Sequence, residues 1–537
     1  MRTCGCCLLF QAALVCPACF NIHTYYPAPT VNKSSSEIQA VSAQFEGFFD
    51  NLIKTGHSDD PGDISPNTTS FSIVLFSGSD HSVDEDPVFF EYSHTAPILA
   101  QANTSVGLDT VFPTGTLTQL FTVYAWLIEL GDGRWNEPIS AFLPQLAAAN
   151  VSSGAFSVDW NEVTIGSLAG QMSGIVRDSH ACRLGHACNY QAFAGNLTGT
   201  TPYFLPDTTP ILSNAAFQLL AFALEQSLGS DFASILSAGV FQPLNMTQTS
   251  FLSPSSEAAV FARDLRSSDV GEPASLGLLS TPRDLARAGR AMLSSQLASQ
   301  ATTRRWLQPV ADTSNLFNGV GRPWEIYHAG RYANSSILDV YTKTGLVGAY
   351  ASYFGLAPDL GTGFAILAHD TSGTAPDLNV YADVVSLAVA ELEALAAGQA
   401  TARYNGTFSD RDGGDVAVFQ TASDGPGLVV SRLAVGGIDL RNQTATAAGI
   451  ALENLDFRVY PSNIARGASH LFVAVVQDKS APVDADTPTC ITWQEVGSLG
   501  PGIADRFVFE VDAVSGQATS VTVLGKNGTL AWTTASA

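Results

Sequence analysis

The chain has 537 residues, too many for one hydrophobic core, which leaves two domains or one large domain with an appendage. A composition of 46% hydrophobic and 14% charged residues excludes bulk disorder. The 49 acidic residues outweigh 25 basic ones for a formal charge of −24; such a surface keeps the chain soluble and repels phosphate backbones and anionic lipid, which disfavours nucleic acid as a partner.

In chain order, the N-terminus reads as a secretory signal over residues 1–18. Arg2 supplies the positive end, Cys4 to Ala18 is apolar but too short to span a bilayer, and Ala13 and Ala18 are both small enough to precede a cut. The expected mature chain is soluble and secreted, with no membrane association. Glu37 to Ile53 then carries apolar residues at helical spacing (Ile38, Val41, Phe45, Phe48, Phe49, Ile53). Residues 70–76 and 88–92 are β-branched and aromatic and flank a polar, acidic turn, which predicts a hairpin. Apolar runs predict helices over Thr116 to Leu130, Phe217 to Leu228 and Val380 to Leu395. Strands are expected over Val340 to Lys343, Ala349 to Ala357 and Gly363 to Ala368. That order predicts an α+β sandwich, an antiparallel sheet with a helical region, whose first and last segments share one sheet. The domain so defined covers 25–397. Past an Ala/Gly stretch at 396–400, short apolar runs alternate with Gly, Asp and Asn turns. Residues 401–537 therefore read as an all-β domain, a barrel or a sandwich.

Two features agree with export. Asn-x-Ser/Thr sequons begin at Asn32, Asn67, Asn103, Asn150, Asn196, Asn245, Asn334, Asn405, Asn442 and Asn527, a density that suggests a glycosylated eukaryotic product. Cys182 and Cys188 lie six apart in a loop-like stretch. A metal set of Cys182, His186 and Cys188 weighs less than a small disulfide loop in an oxidising compartment. Cys490 is left for Cys16 or Cys19, if cleavage spares one of them.

Three separated segments carry the chemistry. The first reads Gly115-Thr116-Leu117-Thr118-Gln119, the second Leu212-Ser213-Asn214, the third Lys343-Thr344-Gly345. With Gly131-Asp132-Gly133, Pro144, the stretch Ser280 to Ala286, Pro323-Trp324-Glu325-Ile326 and Cys490-Ile491-Thr492-Trp493, they resemble the serine β-lactamase and penicillin-binding superfamily, and within it the fungal secreted β-lactamase-related proteins. The resemblance spans nearly the whole chain. In that family a helix opens with Gly-Ser-x-x-Lys, a middle loop carries Tyr-x-Asn, and a late strand carries Lys-Thr-Gly. The serine is the nucleophile and the lysine three residues on shares its helix face and can take its proton. The tyrosine and the second lysine help shuttle that proton and bind a substrate carboxylate. Backbone N–H groups of the nucleophile and the last strand hold the oxyanion.

On that template Thr116 stands at the nucleophile, Gln119 at the lysine and Leu212 at the tyrosine, whereas Asn214 and Lys343 match the family. Thr344 and Gly345 would bind substrate, and Leu346 would offer the second oxyanion N–H. Threonine keeps a hydroxyl but its methyl restricts χ1 and crowds attack. Glutamine is not basic and leucine can do nothing for a proton. A positioned general base is worth roughly 10²–10⁴ in rate. None of the five lysines follows a serine by three residues, and only Thr30 before Lys33 has a hydroxyl at that spacing, so the motif has not moved elsewhere. Tyr190, Tyr203, His180 and His186 are read as surface or packing residues in preference to a substitute base. Asp410, Asp412 and Asp415 read as a solvated turn, Trp126 and Trp324 as core. Gly-x-Ser-x-Gly is absent, which argues against a typical α/β-hydrolase.

The expected protein is thus a catalytically degenerate member that binds or non-covalently processes a small carbonyl-containing molecule, without a cofactor. The resemblance also implies a setting in fungal secondary metabolism. Two alternatives stay open: a secreted hydrolase or acyltransferase acting on esters, amides or lactams through Thr116, and a structural glycoprotein. The substrate and the oligomeric state are not legible.

Overall fold

The predicted stripe over 37–53 forms a helix, Ser36–Thr55, whose first turn is held by the Ser35 hydroxyl accepting from Ile38 N and whose end is closed by Gly56 in the left-handed region. This is seen in a computed structural model that describes residues 25–57, 63–78, 86–101, 104–149, 156–182, 188–251, 265, 271–315, 317–329, 338–480, 496–498, 500, 503–526 and 528–533. The expected signal segment at 1–18, Cys16, Cys19, Cys490, His186 and the sequons at Asn103, Asn150, Asn334 and Asn527 lie outside the described residues. The chain divides into two compact units, one built on Val31–His328 with Asp339–Ala388, the other on Val389–Ala537.

Strands β1 (Thr69–Ser77), β2 (Val88–His94), β3 (Phe112–Pro113), β4 (Ser250–Phe251), β5 (Leu278–Ser280), β6 (Ala311–Asp312), β7 (Asn318–Val320), β8 (Glu325–Ala329), β9 (Leu338–Val347), β10 (Tyr350–Ala357) and β11 (Thr362–Asp370) occupy the chain up to Asp370. Eight of them form one sheet in the order β2-β1-β11-β10-β9-β8-β7-β6, so the first and last segments do share a sheet. The predicted hairpin is β1 with β2, and β1 pairs antiparallel along its whole length with β11. β3, β5 and β4 make a small second sheet.

Helices fill the middle of this unit. Thr118–Glu129 is buried on every face from Thr118 to Leu127, which its apolar composition allows. Its polar positions are answered locally: the Thr118 hydroxyl donates to Gly115 O (2.7 Å) and accepts from Leu278 N (3.1 Å), and the Thr122 hydroxyl donates to Ala274 O (2.6 Å). Trp126, Trp160 and Trp324 lie in the same apolar core, as expected of Trp126 and Trp324.

The last predicted helix runs further than its apolar stripe. Asn379–Tyr404 is continuous, so the Ala/Gly stretch at 396–400, expected as the entrance to the second domain, is helical. Alanine is the strongest helix former, and an added Cβ at Gly398 would meet nothing within 4 Å, so no packing need puts glycine there.

In the second unit, β12 (Gly406–Ser409), β13 (Val416–Ala422), β14 (Gly425–Val435), β15 (Ile438–Asp439), β16 (Leu455–Arg466), β17 (Ser469–Asp478), β18 (Arg506–Val511), β19 (Ala518–Val523) and β20 (Thr529–Thr533) form one sheet. Because β13 pairs with both β12 and β14, every strand except β15 belongs to a closed ring. Of the two architectures expected, this is the barrel, and closure removes its edges. Among the described residues one α-helix interrupts it. Leu440–Ala448 is capped by Asp439 accepting from Asn442 N and ended by Gly449 in the left-handed region. Its sequence has no apolar period, so only the cap residues announced it. Asp410, Asp412 and Asp415 sit in and beside the β12–β13 turn, where Asp410 Oδ1 accepts from Asp415 N at 3.1 Å.

Candidate active site

The first segment forms a short 3₁₀ turn, Gly115–Leu117, that leads directly into helix Thr118–Glu129. Two glycines let β9 press against this turn. Gly115 has φ +56°, and a Cβ there would come within 2.6 Å of the Leu346 backbone. A Cβ on Gly345 would overlap the Thr114 carbonyl oxygen. The first and third segments therefore meet backbone to backbone, which is the arrangement an oxyanion site between Thr116 and Leu346 requires.

Thr116 is 7% exposed, and its hydroxyl donates to the Thr344 carbonyl oxygen at 3.1 Å. Gln119 is fully buried behind it and turns elsewhere. Its amide donates to Ser275 Oγ (2.7 Å) and to Asn214 Oδ1 (3.2 Å); the Ser275 hydroxyl donates to the same Asn214 oxygen (2.7 Å), and Asn214 Nδ2 donates to Asp178 Oδ1 (2.7 Å). Gln119 Oε1 is buried without a hydrogen-bond partner among the described residues. The first and second segments are thus joined by neutral amides and a hydroxyl. None of these can take a proton from Thr116 near neutral pH.

Lys343 on β9 is only 1% exposed and does not line the cleft. Its ammonium is paired with the Glu325 carboxylate of β8 and also donates to Thr344 O at 3.2 Å. Glu325 Oε2 accepts from Thr344 N (2.9 Å) and from the Thr344 hydroxyl (2.7 Å). The donors that the resemblance assigns to a substrate carboxylate all face an internal one.

A cleft of about 830 Å³ opens over these segments. Thr116, Leu212, Asn214, Thr344, Gly345 and Leu346 are all on its wall, so the fold gathers six of the residues named from sequence. Leu212 presents an alkyl side chain where the resemblance expects a phenol. His180, read as a surface or packing residue, is also on this wall, whereas Tyr190 packs edge-on against Phe222 and Tyr203 is exposed. The disulfide between Cys182 and Cys188 is formed, and Cys182 borders the cleft.

Sequence reasoning missed four polar residues. Asp178 and Ser275 anchor the network on Asn214, Glu325 captures the third segment, and Glu272 lines the cleft while only 1% exposed. Glu272 Oε1 accepts from Ser179 N (2.8 Å) and from the Ser179 hydroxyl (3.1 Å). Burial pushes its carboxyl above the ordinary glutamate range, and the Ser179 N–H opposes that only in part. The one available signal was Glu272 standing before Pro273, the acid-then-proline pattern of a helix start, and indeed a helix begins at Pro273.

Of the sequons within the described residues, Asn32, Asn67, Asn196, Asn245 and Asn442 are exposed. Asn405 is half-buried, its amide donating to Thr421 Oγ1 (3.1 Å) and its Oδ1 accepting from Thr421 N (2.9 Å).

A family model described as "Beta-lactamase" matches residues 83–388, and one described as "Beta-lactamase-like-like, C-terminal domain" matches residues 396–533. The chain is 25% identical over 580 residues to a "Beta-lactamase-like protein" of Arthroderma benhamiae, covering 94% of each. It is 23% identical over 563 residues to a "Probable hydrolase M10" of Phoma sp., covering 94% of this chain and 90% of that one. Among solved structures it is similar to an octameric penicillin-binding protein homologue from Pyrococcus abyssi, at 15% identity and a TM-score of 0.49, over 91% of this chain and 99% of that one.

Proposed function

The chain belongs to the Beta-lactamase family, and from that premise we propose that it keeps the family's binding cleft but has given up acyl-enzyme chemistry. It holds a small carbonyl-containing molecule and binds it, or assists a step that needs polarisation without a covalent intermediate. The observation that carries this reading is the surroundings of Thr116. Its hydroxyl spends its proton on the Thr344 carbonyl, Gln119 is tied to Ser275 and Asn214, and Leu212 replaces the phenol. Groups that act as a unit lose most of their joint effect when one goes, and what remains is roughly 10³–10⁴ over water from oxyanion stabilisation and binding.

We further propose export, supported by the exposed sequons and the Cys182–Cys188 disulfide. A place in fungal secondary metabolism belongs to the same proposal and rests on likeness to fungal relatives alone.

The test is the intact mass of the deglycosylated protein after exposure to a fluorophosphonate and to a penicillin. The expected result is no adduct on the native chain and labelling of a Thr116→Ser/Gln119→Lys/Leu212→Tyr variant. An adduct on the native chain that disappears with Thr116→Ala would overturn the proposal.

A further inference from the structure

Among the described residues the cleft holds more carboxylates than cations, and the Lys343 and Thr344 donors of its third segment already serve one carboxylate. Glu325 already occupies Lys343 Nζ, Thr344 N and Thr344 Oγ1, so a ligand carboxylate would have to displace a tethered one. Among the described residues Asp178, Glu272 and Asp377 line the cleft, against the guanidinium of Arg177 and the imidazole of His180. Arg177 is largely exposed and already stands 4.0 Å from Asp178. Asp178 is held in place by Asn214, and Glu272 is nine-tenths and more buried with both its Ser179 bonds on a single oxygen. No cation among the described residues forms an ion pair with Glu272. A buried carboxylate on a cleft wall favours a cation in that cleft, and a second and third carboxylate add to the same field.

We propose that the ligand of this cleft carries an ammonium group beside its carbonyl, with Asp178 and Glu272 as the anionic partners, and that the cleft rejects carboxylates. This rests on the reading of the cleft as a binding site given under Proposed function, and it reverses the charge preference that an available Lys343 would impose. An amino amide, an amino ester or a protonated amino lactam has the required chemistry.

Titration calorimetry on the full chain with three probes of one skeleton tests it: phenylalaninamide (cationic), N-acetylphenylalaninamide (neutral) and N-acetylphenylalanine (anionic). The cation should bind at least about tenfold more tightly than the anion, the range of one charge-assisted hydrogen bond. Asp178→Asn should weaken the cation by about the same factor, and by clearly more than it changes the neutral probe. Glu272→Gln, which keeps the acceptor for Ser179, should act in the same direction. Equal or tighter binding of the anion, or an unchanged cation affinity in both variants, overturns the charge selection and leaves the binding cleft standing. Failure of all three probes to bind at millimolar concentration overturns both.

Discussion

Among the described residues, Arg458 of the barrel and Lys343 of the cleft unit, which also buries Arg290, are cations removed almost completely from water, and Arg458 and Lys343 are treated differently. In the barrel, Arg458 is 2% exposed. Its Nε donates to both Asp456 oxygens (3.0 and 2.9 Å), one terminal nitrogen to Gly425 O and Pro426 O (3.0 and 3.1 Å), and the other to Asp424 Oδ1 (2.6 Å). Lys479 adds a second cation to Asp424 at 3.2 Å. Every partner of that guanidinium is structural, and no motif points to it. Lys343 is as buried, lies in a motif that the family uses for ligands, and still spends its charge on Glu325. Motif membership tells which side chain is present; whether its charge is available is decided by the acceptor that the neighbouring strand brings.

The largest expected effect is on the barrel. Arg458→Ala leaves Asp456, 4% exposed, with only Lys479 at 3.9 Å as a cationic partner and should cost about 3 kcal/mol, read as a fall in the urea midpoint. A cost near zero would mean that the network is solvated and would break the comparison. Next comes the cleft side. Glu325→Gln strands the Lys343 ammonium, but a third of the Glu325 side chain is open to water, so the cost should be nearer 2 kcal/mol. The same variant should let N-acetylphenylalanine bind, which would sharpen the claim that Glu325 withholds Lys343 from ligands. Ser275→Ala removes the hydroxyl between Gln119 and Asn214 and should cost about 1–2 kcal/mol in the same denaturation measurement.

The smallest effect is a pH dependence. Burial raises the Glu272 carboxyl in the folded chain above its ordinary value of 4.5, so as pH rises the unfolded chain ionises first and the folded state loses stability. That contribution is complete below 4.5 and lost as pH climbs through the folded value. Glu272→Gln should therefore match the native chain in the acid range and gain on it as pH rises above 4.5. An advantage independent of pH would assign the effect to packing.

Periodicity and strand composition made the architecture legible: the hairpin β1–β2, the helix Ser36–Thr55, the shared sheet and the β-rich second unit all follow from patterns of apolar residues. Two elements escaped for local reasons. Helix Leu440–Ala448 has caps but no apolar period, and 396–400 is helical because alanine propensity outweighs one glycine. At the site, the family resemblance located Thr116, Leu212, Asn214 and Thr344, all of which meet at one cleft.

By itself, then, the sequence determined which side chains stand where the family keeps its catalytic groups. A threonine, a glutamine and a leucine stand at the three family positions, and no lysine follows a serine by three residues. Only the tertiary structure decided what the surviving groups face. Glu325 meets Lys343 and Thr344 from an adjacent strand, Asp178 meets Asn214 across 36 residues, and Glu272 comes to the wall by burial. Charge availability depends on distance and desolvation between groups far apart in the chain, and those are fixed when strands and helices pack.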